Sequence, residues 1–506
     1  MITKQPLALA SAVLICAIAV PVHLARAQQA SQQTPHQTSQ PASPALPGLQ
    51  PPPGARVVNL SPRAGFFNEP SVAINPKNPS QVVAAFQSPA RVSYTQDSGD
   101  HWQLANGTFP ADYHVSGDVS ITYDILGHAI LCYIAFDKLG TQNYWAHDAT
   151  RNGIFVRRSL DGGKTWDANA VPVDAQDTRV GMPFEDKPYL VADNNPESPF
   201  AGNLYLGWTE FSLSKSIILF SRSTDGGITW SIPYEISTHE GIPRDDNGAV
   251  EGFDAVAGPD GALYTVWADG GSIVMAISRD GGLTFSPSQK ILDLPASYFK
   301  VEAVERSDGF PQIAIDPRSE RLYVTWADYR NGDVDVFCST SRDLGRTWTS
   351  PVRVNNDPIH DGTDQFFQWL AVDPSNGAAY VVFYDRRQDP DNTSSFIVLA
   401  RSTDGGQSFA NYAWTDTPLD AADKFIGDYT AIAALNGRVY AAWTYGQASP
   451  SARPSRAAPP RPRPESESHP PENRTPESRT PVIRLTGRTA STIVQLGIAD
   501  FRPAPK

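Results

Sequence analysis

The sequence predicts an all-β chain folded as a β-propeller of four-stranded blades, and three observations predict it. An eight-residue frame, clearest at Ser223-Thr224-Asp225-Gly226-Gly227-Ile228-Thr229-Trp230, returns at Ser159–Trp166, Ser278–Phe285, Ser341–Trp348 and Ser402–Phe409, with a degraded copy at Thr95–Trp102. Its aspartates, Asp97, Asp161, Asp225, Asp280, Asp343 and Asp404, stand 64, 64, 55, 63 and 61 residues apart, the near-fixed period of a repeat architecture. Four short apolar runs fit within each period, which is one blade. Finally, 37 Gly and 44 Pro supply the turns such a chain needs.

Within the frame, Gly provides positive φ and the Asp carboxylate accepts backbone amides, as a hairpin turn requires. The closing Trp or Phe buries itself between strands. These residues resemble the Asp-box, or BNR repeat, of sialidases and related β-propellers, from about residue 60 to about residue 410. A turn repeated in six blades is explained by folding alone, so its aspartates are expected to be structural.

Taken in order, residues 1–27 read as a signal peptide: Lys4, an apolar run from Leu7 to Val20, then Ala25-Arg26-Ala27 as a cleavage site. A membrane anchor is the alternative, but the apolar run is short for a span. Residues 28–54 are a Gln/Ser/Pro-rich spacer expected to be disordered. The propeller is assigned to residues 55–445. Inner strand pairs a and b are read at Ser71–Ile74 with Val82–Phe86, Val119–Tyr123 with Ala129–Phe136, and Pro188–Ala192 with Leu204–Trp208. They continue at Asp254–Ala257 with Leu263–Trp267, Pro311–Ile315 with Leu322–Trp326, Trp369–Val372 with Ala379–Tyr384, and Tyr429–Ala433 with Val439–Trp443.

Seven pairs against six frames favour seven blades over the six of a sialidase. Arg56-Val57-Val58-Asn59 matches Val352-Arg353-Val354-Asn355, a strand d, so the N-terminal strand is expected to close the ring by completing the last blade. Residues 446–506 form a Pro/Arg-rich low-complexity tail. Within it, 491–499 either returns as strand c of the seventh blade or belongs to a loose tail.

Of the net charge of −13, residues 450–506 hold +5 (ten Lys/Arg, five Asp/Glu) and residues 1–27 hold +2. The body therefore carries −13 − 5 − 2 = −20. That argues against nucleic acid and anionic membranes as partners. After signal cleavage no segment is expected to span a membrane, and a secreted, periplasmic or extracellular monomer is expected. Cys132 and Cys338 lie in distant repeats and read as buried thiols rather than a bridge.

In a propeller the frame turns lie on one face, and the d–a and b–c loops surround the axial mouth on the other. The starts of strand a bring Glu69, Asp118, Glu185, Asp186, Glu251, Asp254, Asp308, Asp364 and Asp428 toward that mouth. The ends of strand b bring Asp137, Glu210, Asp269, Asp328 and Asp385, while Arg330, Arg386, Arg387, Tyr329, Tyr384 and Tyr429 lie nearby. Crowded carboxylates suit general acid/base work or Ca²⁺ binding. Asp at a strand end can equally cap a turn and pair with the Arg after it, and Trp267-Ala268-Asp269 repeated as Trp326-Ala327-Asp328 favours that local role. The candidates for chemistry are Tyr429, Asp428, Glu251, Asp254, Glu69, Arg330 and Arg386. No cofactor is implied, and with few histidines scattered along the chain no zinc site is expected.

The resemblance implies three arginines gripping a carboxylate, a Tyr nucleophile helped by a Glu, and an Asp acid/base. The first arginine belongs to a Phe-Arg-Ile-Pro motif; here Phe67-Asn68-Glu69-Pro70 stands in its place, with Arg63 four residues earlier than Phe67 as a substitute. Asn cannot replace bidentate arginine, and Glu69 is expected to repel an anionic sugar. The expectation is thus a secreted propeller that engages a glycan or protein on its loop face without sialidase activity. The alternatives are an active glycoside hydrolase, on sialosides or a neutral sugar, and a protein-binding scaffold. A close carboxylate pair, or a Tyr–Glu pair with an arginine cluster, separates enzyme from binding module.

Overall fold

The structure is a computed structural model. It describes residues 40–41, 48–62, 65–87, 89–108, 113, 115–137, 151–177, 183–419, 425–447 and 491–503. Residues 1–27, read above as a signal peptide, most of the spacer, Arg63 and most of the Pro/Arg-rich tail fall outside the described residues.

All described elements are strands; seven antiparallel sheets stand around an axis, and a two-stranded hairpin, Tyr298–Phe299 with Ser307–Asp308, forms an eighth. The innermost strands are Asn68–Ile74, Val115–Tyr123, Phe184–Ala192, Glu251–Ala257, Gln312–Asp316, Gln365–Val372 and Ala431–Leu435. Each touches the next, and the last touches the first, which closes the ring. The predicted strands a and b therefore pair in all seven blades, the inner strands mostly starting several residues earlier than expected.

The second strands bury both faces, because a neighbouring blade covers each side of the sheet. At one register position all seven carry an aromatic: Phe86, Tyr133, Trp208, Trp267, Trp326, Phe383 and Trp443, each with no exposed surface. A flat ring at that position fills the wedge between two blades. Polar side chains tie the inner strands across the gap. Ser71 Oγ accepts Ile121 N (3.1 Å), Ser120 Oγ accepts Leu190 N (2.9 Å) and Asp254 Oδ2 accepts Ile313 N (2.8 Å).

The seventh blade is built from both ends of the chain. Its strands run in the order Ala431–Leu435, Arg438–Gln447, Ser491–Asp500 and Arg56–Asn59, with Gln40–Pro41 outside them. Arg56 pairs with Ile498 and Asn59 with Gln495, so the N-terminal strand does complete the last blade. Residues 491–500 supply its strand c, paired in register from Arg438↔Asp500 to Gln447↔Ser491.

The repeated turn has one hydrogen-bond pattern. In the Asp225 copy, Ser223 Oγ donates to Asp225 Oδ1 (2.8 Å) and accepts Gly227 N (2.9 Å); Thr229 donates N–H to Oδ1 (2.9 Å) and O–H to Oδ2 (2.6 Å). The degraded copy keeps the pattern, with His101 Nδ1 on Asp97 Oδ2 (2.7 Å) where a hydroxyl stands elsewhere. These contacts hold the carboxyls of Asp280 and Asp343 down to about 2, chiefly through hydrogen bonds from Thr284 and Thr347 that outweigh any burial cost. The second glycine of each turn also meets the preceding blade. A Cβ on Gly163 would stand 2.4 Å from Val83 Cγ1, and one on Gly345 2.2 Å from Met275 Cε. Cys132 and Cys338 are free and buried, as expected.

Gly163 combines φ of +96° with that contact, whereas Gly107 has φ of +69° and nothing within 4 Å. Left-handed strain alone costs an alanine about 1–2 kcal/mol, and overlap in a packed interior adds about 1–3 kcal/mol. Gly163→Ala should therefore lower stability by about 2–4 kcal/mol and Gly107→Ala by no more than about half of that. Equal losses in chemical denaturation would refute the blade-to-blade role of the second glycine.

Candidate functional site at the axial mouth

Five inner strands enter the axis through a bulge, with register shifts at Asn68/Ser71, Gly117/Ser120, Asp186/Tyr189, Glu251/Asp254 and Phe366/Trp369. One residue in each bulge is left-handed: Glu69 (φ 48°), Asp118 (44°), Lys187 (47°), Gly252 (79°) and Phe367 (51°). Four of these are not glycine, and each costs on the order of 1–3 kcal/mol in backbone strain. The bulges re-aim charged side chains into one buried cluster.

Lys187 is its hub. Its Nζ lies 3.0 Å from Glu251, 3.3 Å from Asp428 and 3.7 Å from Asp186. From above, Arg306 reaches both Asp428 and Asp245 with its guanidinium. Tyr298 Oη stands 2.9 Å from each carboxylate oxygen of Glu251. Tyr298–Phe299 pairs with Ser307–Asp308, so the loop from blade four to blade five folds back on itself in a short hairpin across the mouth. Glu69 accepts Asp428 N (3.2 Å) and shares a hydrogen bond with the carboxyl of Asp118.

The cluster is short of cations. Glu69, Asp118, Asp186, Asp245, Glu251, Asp308 and Asp428 face only Lys187 and Arg306 among the described residues. Burial pushes the carboxyls of Glu69 and Glu251 up to about 8 and that of Asp118 to about 7. Asp186 and Asp308 are raised for the same reason. Asp428 is held below the ordinary carboxylate range despite its burial, because Arg306 and Lys187 both touch it. Carboxylate oxygens of Asp186, Asp245 and Glu251 come within 4.8 Å of one another, a spacing that suits a metal ion. The Lys187 ammonium already supplies positive charge there, so these residues fit an added cation poorly.

Of the residues picked from the sequence, Glu69, Glu251 and Asp428 meet in this cluster, with Asp118, Asp186 and Asp308. Tyr429 packs beside it against Trp369, ring centroids 5.7 Å apart. Asp254 sits deeper and spends its carboxylate on Ile313 N and Ala255 N. Arg330 and Arg386 are elsewhere. Arg330 grips Asp328 and stacks on Phe337 (4.6 Å), while Arg386 gives its donors to Ser395, Asn392 and Glu302. Arg387 binds Asp385, so the turn-pairing role holds for both Asp–Arg sets. Glu185 takes Trp208 Nε1 (2.6 Å), Asp364 caps Val334 N (3.0 Å), Asp269 meets His239 (3.0 Å) and Tyr384 donates to Thr444 O (2.8 Å).

Lys187, Asp245, Tyr298 and Arg306 escaped sequence reasoning. Lys187 had a signal: Asp186-Lys187-Pro188 aligns with Asn68-Glu69-Pro70 at the same bulge. The other three lie in irregular loops with no repeat to align. Burial pushes the Glu69 carboxyl up to about 8, which weakens the repulsion of an anion expected of it. Asn68 beside it is buried, and its Oδ1 has no hydrogen-bond partner. The cluster borders a cavity of about 60 Å³, lined by Lys187, Asp308 and Asp428 together with Tyr189, Phe310, Trp369 and Tyr429. That is room for a few waters and too little for a sugar ring.

The chain is 27% identical over 278 residues to a sialidase of Micromonospora viridifaciens, covering 51% of this chain and 40% of the relative, so it spans well under two thirds of that protein. Among solved structures it is similar to the Hadza microbial sialidase Hz136 (16% identity, TM-score 0.44, 72% of this chain and 70% of that one). It is also similar to the NanB sialidase of Streptococcus pneumoniae (14%, 0.40, 80% and 67%) and the α-L-arabinofuranosidase Arb93a of Fusarium graminearum (14%, 0.43, 66% and 90%). No family model matches the sequence. Among the described residues no helix is long and apolar enough to cross a membrane.

The two sets of shifted carboxyls bound the pH range of stability. Glu69 and Asp118 titrate higher folded than unfolded, so the stability they confer is complete below about pH 4 and is lost as pH rises through about 7–8. Asp280 and Asp343 titrate lower folded, so theirs is complete above about pH 4 and is lost as pH falls through about 2. Unfolding midpoints should peak near pH 4–5, and Asp118→Asn should flatten the decline toward pH 8. Stability that climbs from pH 5 to 8 would contradict a protonated cluster.

Proposed function

We propose that this protein engages a neutral glycan on its loop face and does not hydrolyse sialosides. One observation carries the reading: the guanidinium at the mouth is already spent. Arg306 binds Asp428 and Asp245, and Lys187 is shared among three carboxylates. An anionic sugar would have to displace those partners, forfeiting charge-assisted hydrogen bonds of about 1.5–3 kcal/mol each. A neutral sugar needs hydrogen-bonding groups and apolar surface, with no net charge. The cavity is too small for a ring, so the ligand rests above it or displaces the 294–310 loop. A signal peptide at residues 1–27 and export fit this role.

Hydrolysis of a neutral sugar is the second reading. It is favoured by the Tyr298–Glu251 contact and the Glu69–Asp118 pair, where a protonated and an ionised carboxyl can divide acid and base duties. A protein ligand on the same face has no observation of its own to support it.

A panel of fluorogenic glycosides separates the readings. No turnover is expected for the sialoside, and calorimetry should show saturable binding of at least one neutral oligosaccharide. Robust sialoside cleavage would overturn the proposal, as would failure of every neutral glycan to bind. Turnover of a neutral glycoside that disappears in Glu251→Gln would establish the second reading.

We further read the six repeated turns as Asp-boxes with purely structural aspartates, supported by their common hydrogen-bond pattern. Asp225→Ala then leaves four N–H and O–H donors unpaired, those of Ser223, Ile228 and, twice, Thr229. It should lower stability by about 1–3 kcal/mol while ligand affinity stays unchanged. A denaturation midpoint equal to that of the parent would refute that role.

A further inference from the structure

On the face opposite the mouth, where the ring closes, three arginines converge in a chain of net charge −13. Arg56 comes from the N-terminal strand, Arg438 from the second strand of blade seven, and Arg502 follows the last described strand. All three act on the phenol of Tyr440. Arg56 Nη2, Arg438 Nη1 and Tyr440 Oη share a single acceptor, the carbonyl of Ser98, at 3.3, 3.2 and 3.1 Å. Ser98 is itself left-handed (φ 62°) in the one repeated turn that has Ser in place of the first glycine.

Beside this cluster lies a cavity of about 250 Å³ lined by Ser80, Ser98, Asn436, Arg438, Tyr440 and Arg502, with an apolar floor from Ile74 and Leu435. No carboxylate lines it. Asp500 stands behind, paired with Arg502 and 3.7 Å from Arg438 Nε, and Asp100 pairs with Arg56. Of the two guanidiniums that line the cavity, Arg502 is paired with Asp500 and Arg438 is not closely paired with a carboxylate; Asp373, spent on the N–H groups of Asn436 and Gly437, lies behind the lining. Among the described residues, Arg438 Nε is buried with no hydrogen-bond acceptor.

From these features we infer an anion site at the ring-closing seam that takes a small molecule bearing one oxyanion group: a carboxylate, sulfate or phosphate. Guanidiniums match the planar or tetrahedral oxygens of such groups, and the hydroxyl and amide side chains add neutral donors. The volume falls below that of pockets for larger ligands, so the occupant is a free oxyanion or a single acidic sugar. Because the lining joins blade one to blade seven, occupancy also strengthens ring closure. This site is independent of the axial mouth, and a neutral glycan bound there would not compete with it.

Calorimetry on the full chain, at ionic strength held constant with chloride, tests the assignment using sodium sulfate, glucuronate and glucose. Saturable binding is expected for sulfate or glucuronate and none for glucose at this site. Arg502→Gln, at a half-exposed side chain, should weaken the anion at least tenfold. Ser80→Phe, which fills the cavity and keeps every arginine, should abolish binding. Sulfate alone binding identifies a free oxyanion; tighter glucuronate identifies an acidic sugar. No saturable anion binding, or binding undiminished in both variants while their unfolding midpoints stay at the parent value, would overturn the inference. If a variant proves unfolded, the other decides.

Discussion

The pairing of Arg56–Asn59 with Ser491–Asp500 is the constraint on which the rest depends. Seven sheets around an axis cover one another's faces only if the last blade is complete, and an open ring would expose unpaired strand and apolar blade faces. Both faces of each second strand are covered by neighbours, so the seven wedge aromatics are buried only in the closed ring. The repeated turn serves the same end. Its second glycine meets the preceding blade, including the contact of Gly99 with Ile498 that joins blade one to blade seven.

Closure also dictates the chemistry of the axis. Seven inner strands converge, and the bulges at their starts crowd carboxylates into a volume that water hardly enters. Burial alone would neutralise them all. Lys187 and Arg306 allow a few to stay ionised, Asp428 first among them, while burial pushes Glu69 and Glu251 up to about 8 and Asp118 to about 7. The strain at Glu69, Asp118, Lys187 and Phe367 is tolerated because the ring holds their strands from both sides. A site arranged this way has polarity without free positive charge.

Much of this was legible in the residues. Local chemistry spells out the turn: Asp and Ser accept and donate, glycine supplies positive φ, and an aromatic closes the frame. Periodicity turns six such frames into blades, and apolar runs count seven. The likeness of Arg56–Asn59 to a strand d pointed to closure. Inner strand starts were placed late because a bulge breaks the alternation by which a strand is recognised; polar Glu69, Asp118 and Lys187 there look like loop.

Seven blades, the hairpin turns, the N-terminal strand as the closing strand and the free thiols were thus determined by the sequence itself, because each rests on neighbours within a few residues or on a repeat. Only the tertiary structure decided which charged groups meet. Arg306 touches Asp428 across 122 residues, and Arg438 reaches Ser98 across 340. Such partners are set by the curvature of the closed ring and by irregular loops, and no period in the chain encodes either. The physical reason is that hydrogen bonds in a turn act over a few bonds of chain, whereas buried charges act through space and find their partners after the chain has folded.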